Sequence, residues 1–139
     1  MTVKEIGKGR LSVPILRRGD YLIASIQAAM ADGEVSELKE SLIGEMGVDR
    51  TRGVIVDVTG LDAIEFFAAR ALRAIAEAAT LYGAETVIVG VRPEVAAAMV
   101  QFDLDFRPLR TALDLEDGFA LLNKTATSGV GAEPERGRV

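Results

Sequence analysis

Two short runs rich in β-branched residues limit what this chain of 139 residues can fold into. The runs, at 53–58 and 85–89, read GVIVDV and ETVIV. Strands that are apolar at nearly every position are typical of parallel sheets, whose two faces are both covered by helices. Each run is followed by a turn and then by a helical pattern, as in consecutive βα units with right-handed crossovers. We therefore predict an α/β domain.

The rest of the chain adds a hairpin, further helices and two polar ends. Residues 13–16 are predicted to form an edge strand, because Pro14 cannot donate to a neighbouring strand, and a turn joins them to a strand at 21–26. Three helices are predicted, from Asp32 to Gly47, from the end of the first run to Gly83, and from Pro93 to about Phe102. A short strand at 106–109 is followed by a last helix around Leu115, Phe119 and Leu122, with Thr111 as its predicted cap.

Together these elements predict a mixed sheet of four to five strands with about four helices. The domain is expected at 13–123, with a flexible N-terminus at 1–12. Residues 124–139 are small, polar and rich in Gly and Pro, which predicts a disordered tail.

The helix after the first run is the clearest amphipathic segment. One stripe is predicted to face the core, and Arg70, Arg73 and Glu77 are predicted to face solvent. The core stripe consists of Ala68, Ala71, Leu72, Ile75, Ala79 and Tyr82.

Composition excludes several classes of function. The formal net charge is −5, whereas a nucleic-acid-binding surface needs a basic face. The chain has neither cysteine nor histidine, which removes disulfides, thiolate nucleophiles, cysteine metal sites and imidazole bases. No acidic cluster has the spacing of a Ca²⁺ or Mg²⁺ loop. We expect no metal, no cofactor and no enzymatic activity.

The sequence also lacks signals for a membrane. No stretch approaches the roughly 20 apolar residues of a spanning helix. The first ten residues, MTVKEIGKGR, lack the apolar segment of a signal peptide. We therefore expect a cytoplasmic protein.

The junction between the first run and its helix is the candidate site. It reads DVTGLDAIEFF, from Asp57 to Phe67, and strand ends and helix N-termini meet at one edge of such a sheet. Neighbouring helical residues point about 100° apart, so Phe66 and Phe67 are not expected to be buried equally. We predict that Phe66 is accessible to a partner, the alternative being that both rings turn inward.

Each polar residue of this junction has two interpretations. Glu65 could act as a permanent negative charge, but complementing the helix N-terminus is favoured. Thr59 could accept a phosphate, but a turn-capping hydroxyl is favoured after a strand. Asp57, Asp62 and Glu65 could form a catalytic or Mg²⁺ site, which is disfavoured because no base, nucleophile or glycine-rich phosphate loop accompanies them.

Four blocks of sequence carry a family resemblance. In order they are VPILRRGDYLIASIQ, GVIVDVTGLDAIEFFAARAL, YGAETVIVGVRPEVAAAMVQF and TALDLEDGFALL, and they run from about Val13 to Leu122. They resemble a STAS domain, the domain of anti-sigma factor antagonists, and in particular stressosome scaffold proteins of the RsbS and RsbR type. The resemblance implies a STAS-like fold and a non-enzymatic protein–protein interaction module in stress-response signal transduction.

The resemblance also implies a switch that this chain lacks. In the family, a hydroxyl in the loop before the helix is phosphorylated by a partner kinase of the GHKL type, and the modification breaks the complex. Glu65 and Phe66 stand where the family has Asp and Ser or Thr, and Ala98 matches a second phosphorylation position of RsbR-like proteins. Neither Phe66 nor Ala98 has a hydroxyl, so we predict that the phosphorylation switch has been lost or moved.

The implied partners are a GHKL-type serine kinase or anti-sigma factor, together with paralogous STAS scaffold proteins in a homo- or hetero-oligomer. The predicted partner-binding residues are Thr59, Gly60, Asp62, Glu65 and Phe66. Two other functions stay open. The domain could sense a small ligand, a nucleotide or a lipid, bound between strand ends and helix N-termini. It could also be a self-assembling structural subunit.

Overall fold

The structure, a computed structural model, describes residues 3–6, 15–101 and 109–124. One sheet of six strands runs through these residues, and the strands lie side by side in the order of the chain. The strands are β1 (Val3–Ile6), β2 (Ile15–Arg18), β3 (Tyr21–Ser25), β4 (Gly53–Asp57), β5 (Glu85–Val89) and β6 (Leu109–Ala112). The helices are α1 (Asp32–Met46), α2 (Phe66–Leu81), α3 (Pro93–Gln101) and α4 (115–124).

The sheet is mixed, which confirms the predicted α/β class. β1, β2 and β3 are antiparallel neighbours, whereas β3, β4, β5 and β6 are parallel. Because each parallel strand is added beside the previous one, right-handed crossovers place α1, α2 and α3 on the same face. Helix α4 follows the last strand and packs on the other face.

The first part of the sheet differs from the prediction. Val3–Ile6, expected to belong to a flexible segment, pair with all four residues of β2. The sheet therefore has one strand more than the four to five predicted, and β2 is an interior strand instead of an edge. The sequence VKEI has no alternation of apolar and polar residues, so local pattern alone could not reveal this pairing.

Two predictions near the C-terminus compare differently with the structure. Residues 106–108 of the predicted strand 106–109 lie outside the described residues, and the described strand β6 runs from Leu109 to Ala112, so that Thr111, the predicted cap of the last helix, lies inside a strand. The residue that caps α4 is Asp114, whose Oδ1 accepts the backbone N–H of Asp117 at 2.9 Å. This is the usual N-cap contact, moved three residues along the chain.

Residues 1–2, 7–14, 102–108 and 125–139 lie outside the described part of the chain. The predicted tail 124–139, apart from residue 124, and most of the predicted N-terminal segment 1–12 fall there. Residue 124 lies in α4. The division into 1–12, 13–123 and 124–139 stays a prediction.

Apolar side chains of the sheet and of three helices fill the larger core. On α1 the buried residues lie at helical spacing, namely Val35, Leu38, Leu42 and Met46. On α2 the packing surface is mostly alanine, since Ala69, Ala76 and Ala79 have no exposed area. Short side chains at these positions let the helix axis approach its neighbours closely.

Tyr82 does not continue the predicted core stripe of α2. The helix ends at Leu81, and Tyr82 is the C-terminal cap with half of its side chain exposed. Its hydroxyl instead approaches Gly47 at the end of α1, 3.1 Å from where a Cβ of that glycine would lie. The stripe prediction failed here because the helical period no longer holds at the cap.

Helix α4 covers the second face at two glycines. A Cβ on Gly118 would lie 2.9 Å from Val89, and a Cβ on Gly53 would lie 2.6 Å from Leu122. Helix and sheet therefore meet where side chains are absent.

Among the described residues, no helix combines the length and the hydrophobicity that a bilayer-spanning segment needs.

Arg17 on β2 fastens the end of α1 to the sheet. Its guanidinium donates to the carbonyls of Glu45 and Arg50 and to Oγ1 of Thr51, each at 3.0 Å. A cation is favourable near the carbonyl end of a helix, and the bonds span the whole turn before β4. The pattern of charged residues before Gly19 predicts a solvated turn at Arg17 and Arg18, whereas the structure places both in β2 and uses Arg17 in this contact.

Replacing Arg17 with methionine should destabilise the domain by about 2 kcal/mol, because three acceptors lose a charged donor. Urea unfolding followed by circular dichroism measures the change. Arg50→Met is the matched control, because the side chain of Arg50 is exposed and only its carbonyl is used; we expect a change within about 0.5 kcal/mol. Equal stability of the two variants would contradict this role.

Candidate functional site

The carboxyl ends of the parallel strands form one edge. Ser25, Asp57 and Val89 are aligned across β3, β4 and β5. The backbone pairing continues past the strands. The N–H of Ile26 donates to the carbonyl of Asp57 at 3.0 Å, and the N–H of Val58 donates to the carbonyl of Val89 at 2.9 Å. The loops that leave these strands therefore start side by side, which is where α/β proteins place their sites.

Asp57 builds the turn that opens the loop after β4. Its Oδ1 accepts the backbone N–H of Thr59 at 2.8 Å, and the N–H of Leu61 donates to the carbonyl of Val58 at 2.9 Å. An aspartate that bonds the backbone two residues later forms an Asx turn. The capping group is thus Asp57, where the sequence had suggested the hydroxyl of Thr59.

The side chain of Thr59 lies against the next loop. Gly90, the residue after β5, has φ +78°, and a Cβ built on it would lie 2.9 Å from Cβ and 3.0 Å from Cα of Thr59. Gly90 is therefore required both for its left-handed backbone and for space. The loops after β4 and β5 are packed directly against each other at this point.

The segment from Leu61 to Glu65 is anchored by two apolar residues. Leu61 and Ile64 are buried, whereas Asp62 and Glu65 are exposed. Ile64 precedes the N-cap of α2, and Ala69, at the fourth helical position, is buried in the same cluster. This arrangement is a hydrophobic staple, which fixes the angle at which the chain enters the helix.

Glu65 occupies the N-cap of α2 without capping it through its side chain. Its backbone is extended, with φ −96° and ψ 161°, and no side-chain cap hydrogen bond is present. The carboxylate still lies at the positive end of the helix, where a negative charge is favourable. It is therefore available to face a partner.

Phe66 and Phe67 are both exposed at the first turn of α2, by 51% and 42%. The guanidinium of Arg70, one turn later, lies over the ring of Phe66 at 5.5 Å from its centroid. Phe66 is accessible, as predicted, but so is Phe67. The apolar residue that enters the core at this end of α2 is Ile64, which precedes the N-cap.

Two shallow clefts flank this loop. One of about 350 Å³ is lined by Ser25, 26–29, Asp57, Thr59 and Gly60. The other, of about 250 Å³, includes the carboxylates of Asp32, Asp62 and Glu65. Among the described residues, neither cleft is lined by an arginine or lysine, so both clefts are acidic.

The predicted site residues fall into two groups. Thr59, Gly60, Asp62, Glu65 and Phe66 lie on one continuous loop and helix start and are all exposed. Ala98 lies apart from that loop in sequence, on α3, and is half-buried against the main core. Within the part of the chain that the structure describes, no group of three or more Asp and Glu side chains could hold a metal ion.

Sequence reasoning missed three residues of this region. Gly90 was given no role, although a glycine directly after a buried strand signals a close backbone approach. Arg70 lies on the solvent face, as predicted, but its contact with Phe66 was not predicted. The signal for that contact is the spacing of four residues between Phe66 and Arg70 on one helix. Phe67 was expected to be less exposed than it is.

The chain matches the family model of the STAS domain over residues 12–118. The chain belongs to the STAS domain family. It is 24% identical over 119 residues to the RsbT co-antagonist protein RsbRA of Bacillus subtilis, an alignment that covers 85% of this chain and 43% of that protein. The chain thus spans less than half the length of this curated relative.

Two solved structures of STAS proteins are similar to this one. A variant of RsbS from Moorella thermoacetica, with one serine replaced by glutamate, is 32% identical with a TM-score of 0.77, covering 84% of this chain and 98% of that one. A chain from a structure of the stressosome is also 32% identical, with a TM-score of 0.73. The match covers 81% of this chain and 98% of that one. This STAS protein is therefore similar to anti-sigma factor antagonists and stressosome components.

The packing between Thr59 and Gly90 predicts an order of stability for three alanine variants. Gly60→Ala should change stability by less than about 0.5 kcal/mol, because nothing lies near its Cβ. Gly83→Ala, which has φ +78° and open space, should cost about 1 kcal/mol for the backbone alone. Gly90→Ala adds a clash and should cost at least about 2 kcal/mol.

Urea unfolding of the three variants tests this order. Gly83→Ala is the matched control, since it shares the φ of Gly90 without the neighbour. If Gly90→Ala is no less stable than Gly83→Ala, the two loops are not packed as described.

Proposed function

We propose that this chain is a non-enzymatic interaction module of a stress-response pathway, an anti-sigma factor antagonist or stressosome scaffold component. Its docking surface consists of Thr59, Gly60, Asp62, Glu65 and Phe66. One partner is a serine kinase of the GHKL type. The other partners are paralogous STAS proteins, which assemble with this chain. The observation that carries this proposal is the half-exposed ring of Phe66 at the entrance of α2.

Several contacts support a rigid docking surface. The turn at Asp57, the packing of Thr59 on Gly90 and the burial of Ile64 hold the loop before Phe66 is reached. A pre-formed loop loses little conformational entropy when a partner binds. An exposed aromatic ring on such a support is the kind of residue that dominates binding energy at interfaces.

The charges around Phe66 indicate what the partner must present. Asp62 and Glu65 are exposed on the segment that leads to Phe66, Asp32 lines the same cleft as both, and the guanidinium of Arg70 covers one face of the ring. Complementary potentials favour association and exclude wrong partners. We therefore expect an apolar pocket surrounded by basic residues on the kinase.

Phe66 cannot release the complex by accepting a phosphate. A phosphoryl group adds about −1.5 to −2 charges and would not fit the apolar pocket that we expect for the ring of Phe66. Phe66 and Ala98 have no oxygen that could accept it. Release from this module therefore requires another trigger, such as a change in the partner or in the assembly.

A small-ligand sensor receives less support. The two clefts beside the loop are open and lined by carboxylates, which repel the phosphates of a nucleotide. The helix N-terminus there is preceded by Glu65, whereas phosphate sites use backbone N–H groups without a competing anion.

Phosphorylation of designed acceptors tests the lost switch. With the GHKL-type kinase of the source organism and ATP, Phe66→Ser should become phosphorylated at residue 66, and the unaltered chain should remain unmodified. Phe67→Ser is the matched control, because it is exposed but one helical position away, and it should react poorly. Intact-mass spectrometry reads the result; stoichiometric phosphate on Thr59 or a neighbouring residue of the unaltered chain would overturn the proposal.

Binding of the same kinase tests the docking surface itself. Phe66→Ala should weaken the complex by about tenfold or more, as expected for a central aromatic residue. Val48→Ala is the control, because Val48 is 69% exposed but follows the far end of α1, and its affinity should change by less than about twofold. Calorimetric titration measures both, and equal affinities would place the partner elsewhere.

A further inference from the structure

The outward face of α2 carries a stripe of side chains that starts at Phe66 and continues beyond the docking surface. Its members are spaced by four, three, four and four residues, so they lie on one face of the helix. Both apolar ends are exposed, by 51% and 87%, and none of the five belongs to the buried clusters. The α2 stripe consists of Phe66, Arg70, Arg73, Glu77 and Leu81.

The α2 stripe has a self-complementary order. It begins with an apolar residue and a cation and ends with an anion and an apolar residue. When a second α2 is laid antiparallel with its midpoint between Arg73 and Ala74, Phe66 faces the partner's Leu81 and Arg70 faces the partner's Glu77. A two-fold axis repeats each contact, as in an isologous dimer.

We propose that two copies of this chain associate through antiparallel pairing of their α2 helices. At each end of the helix pair, Phe66 of one copy contacts Leu81 of the other. Two ion pairs between Arg70 and Glu77 of different copies set the register. The observation behind this proposal is the charge complementarity of one exposed helix face with itself. The inference does not depend on the kinase proposed above.

The remaining side chains of this face are compatible with that pairing. Arg73 already forms an ion pair with Glu77 of its own helix, at 3.0 Å between Nε and Oε2. The two Arg73 side chains near the two-fold axis are therefore partly neutralised. Ala74, at the midpoint, is short and allows the helices to approach.

The expected dimer is weak. A helix of 16 residues is about 24 Å long, and one such helix pair buries less than the about 1,200 Å² of a standard interface. The association should therefore depend on protein concentration. It should also weaken at high salt, because exposed ion pairs are screened.

Charge exchange provides a direct test. In Arg70→Glu the new carboxylate faces the partner's Glu77, and in Glu77→Arg the new guanidinium faces the partner's Arg70, so each variant alone should repel its own copies. In an equimolar mixture of the two variants, opposite charges face each other again. Sedimentation velocity of the full chain from about 5 to about 500 µM measures the association constant. Glu40→Arg, at an exposed position of α1, is the control with the same change of charge as Glu77→Arg.

We expect each single variant to associate at least about tenfold more weakly than the unaltered chain, and the mixture to recover most of that loss. Glu40→Arg should behave like the unaltered chain. Circular dichroism confirms that all variants are folded. The proposal is overturned if the unaltered chain is monomeric up to the highest concentration, if the single variants associate normally, or if mixing restores nothing.

Discussion

The structure depends on the in-register pairing of β3, β4 and β5. Because these strands start and end together, the loops that leave them have to share one edge. That crowding is resolved by Gly90, which has no side chain where Thr59 lies. The turn at Asp57 and the staple at Ile64 then direct the chain into α2. The position of Phe66 is a consequence of these backbone contacts.

This arrangement separates stability from recognition. The core side of α2 is filled by small residues, chiefly Ala69, Ala76 and Ala79, and Ile64 fills the space at the start of the helix. Nothing in the core therefore requires the rings of Phe66 and Phe67. A residue that the core does not require can change with little loss of stability, so a phosphate acceptor and a phenylalanine are interchangeable here as far as the fold is concerned. If Phe66 serves both proposed surfaces, self-association and kinase binding compete for it.

Sequence patterns predicted those parts of the structure that rest on local periodicity. The buried strands at 53–57 and 85–89 and the core residues of α1 follow from apolar spacing alone. The pairing of Val3–Ile6 and the contact of Thr59 with Gly90 could not be predicted, because each joins segments whose partners are set by the sheet. Tyr82 and Phe67 were misjudged because the helical period fails at the two ends of α2.

The central claim is that a partner docks on the entrance of α2. Amide hydrogen exchange of the full chain, with and without the GHKL-type kinase, tests it most directly, because exchange reports the backbone region that the partner covers. The account predicts slower exchange for amides between residues 59 and 70, with little change at the opposite edge around Val48 and Tyr82. Unchanged exchange at 59–70 in a saturated complex, with protection elsewhere, would contradict it.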